Sequence, residues 1–289
     1  MAKVRLTSCA VVVALAASLV RAQNPPPSPT SIPDIRFANG MSVVPYLEGW
    51  IRNPDGSFDF VFGYFNRNTE EELVIPAGPD NSVMPGGPDR GQPTYFQPRR
   101  QPRIVRVRVP KDWGDKTLTW SITANGRTEK VVSKLLPAEE MNEHMMIAGG
   151  SNTIQFGEED LNKPPTIAIA PIPSAAAGSP VVLVANVSDD GLPKPRPPAA
   201  PRPAAPTTPD GRFQSQRNSS APRPSLGLRV IWIEYRGPAK ASFEINPVPV
   251  TDGKAVTTVR FAAPGTYTLV GTANDGRLST RTELTVNVR

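Results

Sequence analysis

Along most of this chain apolar and polar positions alternate with period two, the signature of strands with one buried face. Val43 to Arg52 and Ser57 to Asn66 flank Asn53-Pro54-Asp55-Gly56, with proline second and glycine fourth, as a type I hairpin turn wants. Ile104 to Val109 alternates strictly, and Thr117 to Thr123 and Thr128 to Leu135 flank Asn125-Gly126, a strong hairpin signal. Further strands are predicted at Thr166–Ala170, Val181–Val187, Leu228–Tyr235, Ala241–Ile245, Ala255–Ala262, Thr266–Ala273 and Thr280–Val288. Helix is expected only around Glu139 to Met146, as one or two turns. The pattern predicts an all-β protein with two β-sandwich, immunoglobulin-like domains in tandem.

Breaks in the pattern set the expected organisation. Residues 1–22 read as a signal peptide: Lys3 and Arg5, an apolar run from Cys9 to Val20, then Val20 and Ala22 at the −3 and −1 positions. That run of 12 residues is too short for a bilayer, which needs roughly 20. Residues 23–35 form a proline-rich spacer, 36–137 the first sandwich, 138–163 an acidic connector and 164–289 the second sandwich. Residues 193–224, with ten prolines, are an insertion in one loop of the second. Such a segment lacks the apolar residues to order itself. Residues 76–102 make a long loop rich in Pro and Gly, and long ordered loops are often functional.

The second sandwich carries Ser188-Asp189-Asp190-Gly191-Leu192-Pro193, Trp232 followed by Arg236-Gly237-Pro238, and Thr257-Thr258-Val259-Arg260-Phe261. Pro264-Gly265-Thr266-Tyr267-Thr268-Leu269 and Ala273-Asn274-Asp275-Gly276-Arg277-Leu278-Ser279 follow. In order and spacing these segments resemble the immunoglobulin-like PKD domains of bacterial surface and secreted proteins, departing only by the proline-arginine insertion. The resemblance implies a spacer or adhesion module. The residues themselves place Trp232 mid-strand as a central core tryptophan. They place Tyr267 at a tyrosine corner and Leu269 where an antibody domain has a disulfide cysteine. The first domain resembles no family.

Charge and chemistry narrow the function. The formal charge is +6, of which the signal holds +3 and the insertion +5, leaving −2 on the folded part. That argues against a nucleic-acid partner. The one cysteine, Cys9, leaves with the signal, so disulfides and thiolate metal sites are absent from the mature chain. His144 is the only histidine, so no Ser-His-Asp or zinc-hydrolase constellation can avoid it. With Met141 and Met145 it makes a soft thioether and imidazole set, a candidate for Cu(I) in a metal carrier. Asp189, Asp190 and Asp275 sit on loops expected at one end of the sandwich beside Asn162-Lys163, a candidate oxygen-ligand site for Ca²⁺ as cofactor. The aromatic stripe Phe58, Phe60, Phe62 and Tyr64 reads as core rather than a sugar platform. Glu70-Glu71-Glu72 and Glu158-Glu159-Asp160 read as solvated runs rather than glycosidase acids.

The expected function is therefore non-enzymatic: an exported binding or display protein, periplasmic, cell-surface or secreted. Its partner would be a protein or polysaccharide of the cell envelope, met through the 76–102 loop. An accessory carbohydrate-binding component of a polymer-degrading system is the alternative, and a periplasmic metal carrier a second.

Overall fold

Local turn chemistry sets the strand pairs. At Asn53-Pro54-Asp55-Gly56 the Gly56 N–H donates to the Asn53 carbonyl at 2.9 Å and Gly56 takes φ +83°. At the second hairpin Asn125 and Gly126 both lie at positive φ, 50° and 75°, the type I′ geometry that suits a two-residue connection. The computed structural model describes residues 37–147, 161–172, 174–194 and 227–289. The signal, the spacer, the Glu158-Glu159-Asp160 run, residues 195–224 of the insertion and the His144 side chain lie outside the described residues.

The first half runs β1 (Val43–Arg52), β2 (Phe58–Asn66), β3 (Leu73–Val74), β4 (Asn81–Met84), β5 (Tyr95–Phe96), β6 (Arg99–Val109), β7 (Leu118–Ala124) and β8 (Arg127–Ser133). Then come β9 (Glu140–Met141) and one short helix, α1 (Glu143–Ile147). One sheet has the order β6-β2-β1-β9, a second β4-β7-β8, and β3 pairs with β5. Strand β9 lies parallel to β1, Trp50 opposite Glu140, so the first residues of the expected connector are part of this sandwich. The aromatic stripe is core: Phe60 and Phe62 are fully buried, and Phe62 meets Trp120 edge-on at 5.9 Å.

The second half comprises β10 (Thr166–Ile169), β11 (Pro180–Ser188), β12 (Arg229–Arg236), β13 (Ala241–Phe243), β14 (Val248–Pro249), β15 (Lys254–Phe261), β16 (Gly265–Asn274) and β17 (Ser279–Val288). Its sheets are β10-β11-β15-β13 and β14-β12-β16-β17. Apart from the two-residue β14, this is the A-B-E-D and C-F-G order of a seven-strand immunoglobulin constant-type sandwich. Trp232, Tyr267 and Leu269 are fully buried between the sheets. The Tyr267 hydroxyl donates to the Ala263 carbonyl at 2.8 Å, closing a tyrosine corner.

Two hydrophobic cores result, within the compact unit Arg36–Arg289. They are not independent. Tyr235 and Val270, from the outward face of the β12-β16 pair, belong to the core of the first sandwich, with Ile233 packed against it.

Candidate functional site

Strand β12 reads Arg-Val-Ile-Trp-Ile-Glu-Tyr-Arg and is apolar on both faces. Val230 and Trp232 fill the second core, while Ile233 and Tyr235 reach the first. An edge-free strand covered on both sides should look like this. That double-sided run was the sequence signal for a docked interface, and alternation within one sandwich does not explain it.

The partner of β12 is the 76–102 loop. The Thr94 N–H donates to the Tyr235 carbonyl at 3.1 Å, and the Tyr235 hydroxyl donates to the Gly91 carbonyl at 2.5 Å. The Arg236 guanidinium spans both Asp89 oxygens, at 2.7 and 3.1 Å. Lys240 pairs with Glu72 at 2.9 Å, and Glu72 also accepts from the Tyr95 hydroxyl. The loop itself is held by two fully buried amides. Asn81 donates to the Ile75 and Pro93 carbonyls and accepts from Trp120 Nε1–H at 3.0 Å. Gln92 donates to the Asn81 and Pro88 carbonyls. Residues 76–102, expected to be one long ligand-carrying loop, instead contain β4, β5 and the start of β6, because their backbone finds partners in β7, β3 and β2. The turns between these strands help join the sandwiches. The partly exposed ion pairs contribute at most about 1 kcal/mol each. Burying a large side chain such as Tyr235 contributes more, roughly 1.5–3 kcal/mol.

Beside this joint lies a cavity of about 650 Å³, bounded by β6, β12, β16 and β17, with Met146 and Ile147 of α1 at one side. Arg103, Arg106, Arg236, Arg281 and Glu283 line it. Arg281 and Glu283 stand on the outward face of β17, opposite Thr272 and Val270 of β16. A register shift in the β2-β6 pairing opposite Gly63 places Arg103 at φ +49°. The Arg103 carbonyl there accepts from Arg281 Nη1 at 2.7 Å. Arg281 is open to solvent from the cavity but has protein on most sides. This enclosure holds its guanidinium below the usual arginine range, and the charges of Arg106 and Arg103 add to the effect.

The aspartates gather at the far loops of the second sandwich. Asn162 Nδ2 donates to Asp275 Oδ2 at 3.1 Å, and the Lys163 N–H donates to Asp190 Oδ2 at 2.8 Å. Asp275 Oδ1 accepts the Arg277 and Leu278 N–H groups, and Asp189 Oδ2 accepts from Gly191. Asp189 Oδ1 and Asn162 Oδ1 are buried with no hydrogen-bond partner. Burial raises the Asp189 carboxyl above its ordinary value, helped by the charges of Asp275 and Asp190. Backbone N–H groups of Lys163 and Leu192 lower that of Asp190. Among the described residues no group of three or more His, Cys, Asp or Glu is arranged to hold a metal ion.

Met141, Glu71 and Glu72 make packing or hydrogen-bond contacts within the fold. Met141 packs against Gly49 so closely that a Cβ there would stand 2.5 Å from its sulfur. Met145 is 43% exposed on α1. Glu71 accepts from the Gly40 N–H and from Asn125, tying down the chain before β1, while Glu72 belongs to the joint.

No protein-family model matches the chain. No curated protein matches it either. Among solved structures, a conjugative transposon lipoprotein from Bacteroides eggerthii is similar at 12% identity and a TM-score of 0.27, over 43% of this chain and 97% of that one. The D00-D0 domain of intimin is similar at 11% identity and a TM-score of 0.26, over 86% of this chain and 100% of that one. A surface-layer protein gives 12% identity and a TM-score of 0.26, over 81% of this chain but only 23% of its own. Likenesses this loose leave the fold to be read from the strand order itself.

Proposed function

We propose that this chain is an exported, non-enzymatic binding or display protein of the cell envelope whose two sandwiches act as one rigid body. The observation that carries the reading is the shared core, with Tyr235 and Val270 of the second sandwich buried in the first. A spacer with free hinges has no use for such a joint, whereas a protein that must hold a surface at a fixed orientation does. The PKD-like segments of residues 164–289 and the export signal of residues 1–22 support the envelope setting. Denaturant unfolding tests the reading. The protein should lose both cores in one transition. Tyr235→Ala should cost about 3–5 kcal/mol, the range for emptying a large aromatic site, and split the transition in two. Two separate transitions in the unaltered protein would mean independent beads.

A second element of the reading is calcium at Asp189, Asp275 and Asn162. It is favoured by the two buried oxygens without partners, Asp189 Oδ1 and Asn162 Oδ1. A hard cation takes such carboxylate and amide oxygens, and would offset the burial that chiefly raises Asp189 along with the charges of Asp275 and Asp190. Calcium in excess should raise the melting temperature over that in chelator, by about 2.7 kcal/mol of stability at one hundred times Kd. Superimposable melts would leave these residues as turn formers.

A further inference from the structure

We infer that the cavity between the sandwiches is a binding site for an acidic oligosaccharide, gripped through its carboxylate or sulfate oxygens by Arg281. The cavity, at about 650 Å³, falls inside the roughly 300–1,000 Å³ range of ligand pockets and has room for more than one sugar ring. Its lining is mixed. Thr268, Ser279 and Thr280 supply hydroxyls of the kind that meet sugar hydroxyls, and Arg281 supplies charge.

Arg281 is the centre of the argument. Among the described residues its hydrogen bonds run from Nη1, to the carbonyls of Arg103 at 2.7 Å and Ile104 at 3.4 Å. Those two bonds hold the guanidinium plane. The Nε and Nη2 donors form the opposite edge of the fork, the edge that takes an oxyanion in two parallel bonds. Neither acceptor is a carboxylate, and among the described residues no carboxylate is hydrogen-bonded to Arg281. Glu283 is the acid near it on the same strand face, and it acts only through space. A cation with protein on several sides gains more from an arriving anion than one surrounded by water.

The strained backbone at Arg103 supports a built site. A non-glycine residue at φ +49° in the middle of a ten-plus-residue strand is uncommon, and bulges of this kind re-aim groups beside functional sites. Here the bulge turns the Arg103 carbonyl onto Arg281. Arg236 is fixed from the other wall by Asp89, so the cavity keeps its shape without a ligand.

Calorimetric titration of the protein at low salt tests the assignment. Four probes separate the sources of the chemistry: an oligogalacturonate, a sulfated oligosaccharide, inorganic sulfate and a neutral dextran oligomer. At least one of the two acidic oligosaccharides should bind, and the neutral oligomer should not. Arg281→Gln should weaken binding roughly tenfold or more, as expected for losing a charge-assisted pair. Arg281 also ties the two sandwiches, so Thr268→Trp serves as the second variant. It fills the cavity from β16, removes no charge, and should weaken binding by a similar factor. Arg212, Arg217 and Arg223 changed together to Gln in the proline-arginine insertion should leave the affinity within about twofold, because the grip is that of Arg281 and long-range charge is screened by salt. Unchanged affinity in both Arg281→Gln and Thr268→Trp overturns the assignment. So does binding lost only with the insertion arginines, equal binding of the neutral oligomer, or binding of inorganic sulfate alone.

Discussion

The two sandwiches solve the same packing problem by different means. In the second, strand alternation does nearly all the work: β11, β12, β15, β16 and β17 each send every other residue inward, around Trp232, Phe261, Tyr267 and Leu269. In the first, the strands leave one side to a long connection, and that connection becomes solid through side-chain amides. Asn81, at the start of β4, and Gln92 pin the turns around that strand through their side-chain amides. A core closed by alternation depends on volume. A core closed by a pinned loop depends on every polar group finding its partner. The difference predicts distinct ways of breaking each half.

The largest effect is expected in the second core. Trp232 is fully buried, stacked against Phe243 at 6.3 Å and touching Gly271. Its Nε1 has no hydrogen-bond partner, so the side chain contributes through packing. Trp232→Ala should cost about 3–5 kcal/mol in a denaturant titration. A cost under about 1 kcal/mol would mean that the alternation does not define this core.

The first sandwich should break through Asn81. Asn81→Ala removes little volume but strands the Ile75 and Pro93 carbonyls and the Trp120 indole N–H. Each buried group without a partner costs on the order of 1–3 kcal/mol before relaxation, so a total of about 2–4 kcal/mol is expected. The readout that sharpens the comparison is local. Amide exchange across residues 76–102 should quicken more than in β16, because the loop loses its pin while the second core keeps its volume. Uniform quickening across both halves would show that the shared core, not the amide pin, holds the loop.

The contrast also explains what was legible. Strands with one buried face announce themselves by period two, and the seven strands expected from Thr166 to Val288 appear close to their expected bounds. β14 has two residues, one of them proline, and no alternation to read. β3 and β5 are as short, and β9 pairs with β1 across 90 positions of sequence that no local signal spans. The joint was half legible. β12 was plainly apolar on both parities, but nothing in residues 76–102 says that their carbonyls and Asp89 will meet Tyr235 and Arg236. The cavity was not legible at all. It arises from Arg103 on a bulge and Arg281 on a strand far along the chain, and only the docking of the two sandwiches brings them together.

The last expected effect, read as a pH slope rather than as a loss at one pH, lies where the two halves meet, at Glu234. This carboxyl is 2% exposed, although β12 otherwise carries apolar residues at that end of the core. Oε2 accepts the Ala241 N–H at 2.6 Å, while Oε1 has no partner and lies over Gly237, where a Cβ would come within 2.3 Å of it. The Tyr267 ring shares that space, Tyr95 and Glu72 face it from the first sandwich, and Lys240 is drawn off by Glu72. Burial pushes the Glu234 carboxyl up to about 8, with the charge of Glu72 adding to it. The folded protein therefore keeps this proton to a higher pH than the unfolded chain, whose carboxyl titrates near 4.5. Its stabilisation is complete below about pH 4.5 and is lost as pH rises toward about 8. The slope cannot exceed about 1.4 kcal/mol per pH unit for one group. Asp55, Asp89 and Asp190 are held below the ordinary carboxylate range and stay ionised across the upper part of that window, so they do not mask it. Asp189 is raised as well, so the slope must be assigned by substitution. Glu234→Gln keeps an oxygen for the Ala241 N–H and cannot ionise. Melts from pH 5.5 to pH 8 should fall steadily for the unaltered protein and stay flatter for Glu234→Gln. Parallel curves would place the proton elsewhere and leave Glu234 ionised in the folded state, with Lys240 as its counter-charge.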